Sequence, residues 1–312
     1  MRWLAVGAFA AVTGLRLFGW DGTSWVLVAV LAYTPYLVAA GLGLVALLLL
    51  RRAWRPLIVA AACTLTLAAL TAPRLLPQAQ PAAAGPTLRV MAVNLYGGEG
   101  AVTTVLELAR RHDVDVLALV ELTPQAARAF AAAGVGDPLR HQYLHTGPTV
   151  VGAGIYSRYP ITPAPDLEPA GQFAMPAVRM AVPDAAAVEM VAVHPVPPVA
   201  GLSRQWRGNL RALPPASPTG PVRLLAGDFN ATLDHAPLRD LIATGYTDAA
   251  DAVGAGLTGT WRPVTWPASL APPVQIDRVL VDRRAAVRWF AAYPVPGSDH
   301  RAVLVEVTLP AG

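Results

Sequence analysis

Eight polar side chains end apolar runs in this chain: Asn94, Glu121, His194, Asp228, Asn230, Asp277, Asp299 and His300. A polar group within or just after an apolar run costs free energy unless it is paired or coordinated. One such residue is ordinary structure. Eight at the ends of several runs are able to converge, because rigid strands fix side chains that the following loops expose. The inventory has chemical meaning. Carboxylates and amides without thiolates suit a hard divalent cation such as Mg²⁺ or Mn²⁺, held by one or two carboxylates, waters and a substrate phosphate. Two histidines supply proton transfer and hydrogen bonds to a developing oxyanion. The combination points to metal-assisted attack of water on phosphorus. Cys63 is the only cysteine and lies in an apolar run, which removes disulfides and thiolate metal sites from consideration.

The runs that carry these residues alternate at first. "TLRVMAVNLYGG" reads as a strand, "AVTTVLELARRHD" as a helix, "VDVLALVEL" as a buried strand and "TPQAARAFAAA" as a helix with a Thr-Pro start. Further on come short apolar strands, among them "TVVGAGIYSRYPI", "VEMVAVHPVPP", "VRLLAGDFNAT", "IDRVLVD" and "SDHRAVLVEVTL", with helices at about residues 202–213 and 236–243. Many strands and few helices suggest an α+β fold in which two packed sheets are flanked by helices.

Residues 1–73 differ from the rest. Apolar runs at about 3–18, 24–50 and 56–72 predict three transmembrane helices, the first and third near the lower length limit. A cleaved signal peptide for the first run and a buried helical hairpin of a soluble fold are the competing readings. Two more apolar runs follow the first, and charges are nearly absent from every helix face, which favours spans. Arg51, Arg52 and Arg55 between the second and third runs predict a cytoplasmic loop, so three crossings place everything after Pro73 outside the cytoplasm. Residues 74–86, rich in Pro and Ala, read as an extended linker to a catalytic domain at 87–312. Charge follows the same division: six Arg and one Asp up to Gly85 (net +5), then 18 Arg and 19 acidic residues (net −1). The outer domain thus lacks the basic excess of a nonspecific nucleic-acid binder.

The motifs "GDFNAT" and "SDHRAV", with "VNLYGG", "LALVEL", "GAGIYSRYPI", "VAVHPVPP" and "IDRVLV" in that order, resemble the endonuclease/exonuclease/phosphatase superfamily over about residues 87–309. The resemblance implies a four-layer α/β/β/α sandwich of the DNase I-like kind, a Mg²⁺- or Mn²⁺-dependent phosphoric ester hydrolase. It implies that Glu121 binds the metal with Asn94 and Asp299 near or on it, and that Asp228 and Asn230 orient water and phosphate. His300 would pair with Asp277, and His194 would hydrogen-bond the phosphoryl oxygen; whether His300 or Asp228 takes the proton from water stays open. One departure is "SDHRAV", where many relatives carry proline after the arginine. Arg179 is a further candidate for phosphate contact, against the alternative of an exposed strand arginine. Trp206, Trp261 and Trp266 would line a cleft, face lipid or pack in loops, and Arg158 is read as structural.

Fold and core residues do not choose the substrate. An anchored, slightly acidic outer domain suits a phosphate-containing substrate at a bilayer better than genomic DNA, and three spans before this domain resemble the bacterial membrane-bound members called VanJ-like. That resemblance implies a multi-pass cell-membrane protein acting on a lipid-linked phosphate or pyrophosphate of the cell envelope. The alternatives are an extracytoplasmic nuclease or phosphodiesterase, and a non-catalytic module that holds a lipid phosphate.

Overall fold

The computed structural model describes residues 2–21 and 24–312. Its N-terminal region holds α1 (Arg2–Phe18), α2 (Trp25–Ala32), α3 (Thr34–Leu50) and α4 (Trp54–Thr71). The second apolar run is therefore two helices rather than one. Pro35, in the first turn of α3, lacks the N–H needed to continue the preceding helix, and the chain bends by 73° between α2 and α3. Three straight transmembrane helices are not what forms. Among the described residues, one continuous helical stretch, Trp54–Leu75, is long and apolar enough to cross a membrane, and the bent α2–α3 pair is a second candidate only if it counts as a single broken span. α1, with 17 residues, reaches about 25 Å, short of the ~30 Å hydrocarbon core.

These helices pack on each other through small residues. A side chain at Gly41 would meet Thr64 Oγ1 at 2.5 Å and the Phe9 ring at 2.7 Å, so glycine permits the close approach of α3 to α1 and α4. Val6, Leu48 and Ala60 cluster at one end of the bundle. Hence α1 and α4 run the same way and α3 runs against them.

The remainder is a four-layer α/β/β/α sandwich, as its motifs imply. Strands β1 (Thr87–Asn94), β2 (Val116–Val120), β3 (His141–His145), β4 (Ala153–Ser157), β5 (Ile161–Pro163), β6 (Ala177–Met180), β7 (Val188–Val193), β8 (Val222–Asp228), β9 (Tyr246–Asp248), β10 (Asp277–Asp282), β11 (Ala286–Pro294) and β12 (Arg301–Thr308) form two sheets. Their orders are β11-β12-β1-β2-β4-β3 and β5-β6-β7-β8-β10-β9. Both are mixed: β1 and β2 are parallel, as are β7 and β8, and the other pairs are antiparallel. Alternation sorts each strand between two cores. Leu88, Val90 and Ala92 face Met190, Leu224 and Val279 between the sheets, whereas Met91 and Val93 face outward onto α5 (Val102–Arg111) and α6 (Pro124–Ala132). On the opposite outer face, Val191 and Leu225 meet Trp206 and Leu210 of α7 (Ser203–Ala212) and Leu238 of α8 (Ala236–Ala243). The Thr-Pro start is a working cap: Thr123 Oγ1 accepts the Ala126 N–H at 3.1 Å.

The N-terminal helices dock on this second outer face. Val28 joins its core, and its carbonyl lies 2.8 Å from His235 Nε2. Asp234 is fully buried between Arg16 of α1, at 2.6 Å, and Arg74, at 2.7 Å. After Leu75 the chain runs without helix to residue 86, yet it is pinned to the domain. Gln78 donates its backbone N–H to Ala252 O and its side chain to Asp251, and Gln80 Oε1 accepts the Val287 N–H.

Candidate active site

Parallel pairing brings the C-terminal ends of β1 and β2 to one edge of the first sheet, and those of β7 and β8 to the same edge of the second. β10 runs against β8, so Asp277 opens directly opposite Asp228. β12 runs against β1, so Asp299 and His300 arrive at that edge just before it. The eight polar residues thus meet at one end of the sandwich.

At its centre is a chain of short contacts. His300 Nδ1 sits 2.9 and 3.0 Å from the two oxygens of Asp277, and its Nε2 faces Asp228 at 3.8 Å and Asp299 at 3.7 Å. Asn94 donates from Nδ2 to both Glu121 and Asp228, at 3.1 Å each. His194 Nε2 lies 3.7 Å from Glu121 and 3.9 Å from Asp228. Asn230 is held by its amide, which donates to Pro195 O at 3.0 Å, and by its backbone N–H on Asp228 Oδ1 at 2.8 Å. One amide N–H of Asn230 is so used and a second is available by chemistry.

The backbone is bent to make these contacts. Glu121 (φ 58°), Asn230 (φ 48°) and Tyr96 (φ 49°) all occupy the left-handed region, which costs a non-glycine residue roughly 1–2 kcal/mol. Such departures gather where function requires them. The turn after β1 lets Gly97, at φ 64°, donate its N–H to Glu121 Oε2. Gly227 is demanded by close approach, since a side chain there would collide with Val193 O.

Electrostatics separate the two histidines. Burial alone would lower His300, but the charges of Asp277 and Asp228 and the Asp277 hydrogen bond outweigh it and push the imidazole up to about 10. Burial, with positive His300 nearby, pushes His194 down to about 3. Burial also raises Asp228, to about 7, and raises Glu121. His300 is therefore a cation at neutral pH, His194 is neutral, and the surrounding carboxylates are short of positive charge.

That shortage bears on where a metal fits. Asp228, Asp277 and His300 place ligand atoms within 4.8 Å of one another. Yet both Asp277 oxygens are engaged by His300, and a protonated imidazole is no ligand. Among the other oxygen donors of the site, Asp299 Oδ1 is buried without a hydrogen-bond partner, and Asn94 Oδ1 and the Glu121 carboxylate, which accept N–H groups, are hard donors of the kind a divalent cation takes.

Arg179 does not join this site. β6 pairs against β7 so that Arg179 lies opposite Glu189, near the start of β7, whereas His194 follows its end. There Arg179 is exposed and bound to Asp166 and Glu189. Of the two readings of Arg179, phosphate contact and an exposed strand arginine, the register matches the second. Conversely, Ser298 and Thr260 went unnoticed. Ser298 Oγ donates to Asn94 O and accepts the His300 N–H, and Thr260 Oγ1 accepts the Asp277 N–H at 3.0 Å. Ser298 begins the "SDH" triplet, which was a usable signal; Thr260 offered none. The tryptophans divide. Trp206 is buried and donates to Asn230 O, Trp261 donates to Asp299 Oδ2 at 2.8 Å, and Trp266 is exposed. Arg158 is structural, paired with Asp113 and Asp115.

No curated protein matches the chain. Among solved structures, it is similar to an endonuclease/exonuclease/phosphatase from Beutenbergia cavernae (20% identity, 72% of each chain, TM-score 0.51). It is also similar to D. rerio TDP2 complexed with a single-strand DNA product (15% identity, 71% of this chain and 98% of that one, TM-score 0.54). A third is the 3' phosphatase NExo from Neisseria bound to a product DNA hairpin (18% identity, 70% and 98%, TM-score 0.53). At these identities the likeness is one of fold. The family model matches residues 91–300, more than half of the sequence and the whole of the site just described: the chain belongs to the Endonuclease/Exonuclease/phosphatase family, whose members hydrolyse phosphoester bonds with divalent metals.

Proposed function

We propose that this protein is a membrane-anchored, Mg²⁺-dependent phosphoesterase acting outside the cytoplasm on a lipid-linked phosphate or pyrophosphate of the cell envelope. The observation that carries the catalytic part is the pairing of a cationic His300, locked by Asp277, with an Asp228 whose carboxyl is raised towards neutrality, 3.8 Å apart. A general base works best when its pKa lies near the working pH. Asp228 is thus suited to accept the proton of the attacking water. His300 donates from Nε2 to the phosphoryl oxygen as negative charge develops there, and neutral His194 and the Asn230 amide add donors around the same oxygens. Glu121, Asn94 and Asp299 would hold the cation. When bound, it neutralises phosphoryl charge and lowers the pKa of a ligated water.

The anchoring part is supported by the ends of the helices. Trp3 and Trp54 are exposed at the end marked by Val6, Leu48 and Ala60, and Phe18, Trp20, Trp25 and Tyr36 are exposed at the end facing the domain. Two aromatic rims flanking an apolar middle are the pattern of a membrane segment. Three buried hydroxyls within the helices are satisfied internally, with Thr13, Thr64 and Thr71 each donating to the carbonyl four residues earlier. Arg51, Arg52 and Arg55 gather at the end away from the domain, which is the basis for an extracytoplasmic site. The test is Mg²⁺-dependent phosphate release from a polyprenyl pyrophosphate by detergent-solubilised full-length protein, beside plasmid nicking, with Asp228→Ala as control. Release without nicking, lost in the variant, is expected; nicking alone overturns the lipid substrate in favour of an anchored nuclease.

A further inference from the structure

The three most exposed large apolar side chains among the described residues of the catalytic domain share one loop. In residues 262–273, "RPVTWPASLAPP", Val264 is 58% exposed, Trp266 80% and Leu270 76%, and Arg262 is the sole charge. Three large apolar groups in water on a twelve-residue excursion are an unfavourable arrangement unless something covers them. The loop is built on a fixed base: Trp261 and Val274 exchange backbone hydrogen bonds of 3.0 and 2.9 Å. That base is also a wall of the active site, because Trp261 bridges to His300 through the backbone and to Asp299 through its indole N–H. A cleft of about 280 Å³ opens between the loop and the His300 side of the site, lined by Trp261, Arg262, Val264, Ser298, Asp299 and His300.

What covers the loop is indicated by its other tether. Tyr36, in the first turn of α3, donates its hydroxyl to Pro273 O at 2.6 Å. The loop therefore continues the aromatic rim of Phe18, Trp20, Trp25 and Tyr36 at the domain-facing end of the helices. Trp, Leu and a flanking Arg are the residues that settle at a lipid–water boundary. Building on the anchored reading above, we infer that residues 262–273 form a bilayer-docking loop that seats the mouth of the catalytic cleft on the surface of the anchoring membrane. The phosphate of an amphiphile then reaches His300 while its apolar chain stays in lipid, and Arg262 stands at the mouth to meet the head group.

The experiment uses the full chain in phosphatidylglycerol/phosphatidylethanolamine nanodiscs. In a Cys63→Ala background, a nitroxide is placed by cysteine substitution at Leu270, at Leu65 in the exposed middle of α4, and at Ala132 on α6. Accessibility to oxygen against a water-soluble nickel chelate is then read at each position. Lipid-type accessibility at Leu65 and Leu270 with aqueous behaviour at Ala132 is expected. Lipid at Leu65 with water at Leu270 overturns the docking loop and leaves the anchor standing; water at Leu65 overturns both. As a functional arm, Trp266→Ser/Leu270→Ser should lower turnover of a bilayer-embedded phosphate ester roughly tenfold and spare soluble bis(p-nitrophenyl) phosphate. Equal loss on both substrates also overturns the proposal.

Discussion

The chain from the last residue of β8 onward carries two buried carboxylates six residues apart, Asp228 and Asp234, and their surroundings are opposite. Asp234 lies between Arg16 and Arg74, two guanidiniums for one carboxylate, and Arg74 reaches both of its oxygens. Burial is the largest influence and would raise it, but the hydrogen bonds and charges of the two arginines prevail and hold it below the usual carboxylate range. Asp228 shares one cationic histidine with Asp277, Asp299 and Glu121, and burial raises it to about 7. One end of the segment is matched in charge and fixes the N-terminal helices to the domain. The other is left deficient in positive charge, two residues before Asn230 in the left-handed region, which suits the proposed roles towards a cation and a proton. Stability and chemistry are thereby separated over about 20 Å of chain at most.

The comparison is open to direct attack, beginning with its catalytic end. Asp228→Ala should reduce Mg²⁺-dependent phosphate release on the order of 10³-fold, checked by phosphate assay on folded protein. Asp234→Asn should do the reverse: turnover per folded molecule is largely kept, while stability falls by about 3–5 kcal/mol because two buried guanidiniums lose their partner. Thermal unfolding in detergent reads this. The same variant sharpens the argument through pH. A carboxyl whose folded pKa is depressed stabilises fully above its unfolded value of about 3.9 and loses that contribution as pH falls through the lower folded value. The acid limb of melting temperature against pH, below about pH 4, should therefore be shallower in Asp234→Asn than in wild type. At the site the sign is opposite. Asp228, raised to about 7 by burial, gains its negative charge between pH 6 and pH 8 beside the proposed cation site, so the melting-temperature gain on adding Mg²⁺ should be larger at pH 8 than at pH 6. The smallest effect is expected at Arg179→Ala, which should leave kcat/KM unchanged, since that side chain is exposed at the far end of β7.

The site was more legible than the frame around it. Residues that end apolar runs announce themselves, and Asn94, Glu121, His194, Asp228, Asn230, Asp277, Asp299 and His300 all came together. Strands with strong apolar patterns were readable too, and α8 spans residues 236–243 as its spacing predicts. β3, "HQYLH", was not anticipated, because an edge strand with mostly polar, half-buried residues lacks the periodic signal. For a related reason sequence leaves Arg179 between phosphate contact and an exposed strand position: type and neighbourhood say nothing of which end of a strand faces the site. The second apolar run looked continuous because hydropathy does not register the missing N–H of Pro35, although the residue itself was in view.

By itself the sequence determined which groups are present and where each run stops, hence the family, the hard-donor chemistry and the division between apolar N-terminus and layered domain. Only the tertiary structure decided that Asp234 belongs to the helices and Asp228 to the chemistry. Both are acidic residues after an apolar strand, and their pKa values move in opposite directions because of side chains distant in sequence. Arg16 and Arg74 lie 218 and 160 residues from Asp234, and Asp277 lies 23 from the histidine it charges. Coulomb interactions depend on distance in space and on burial, and neither is written in the order of residues.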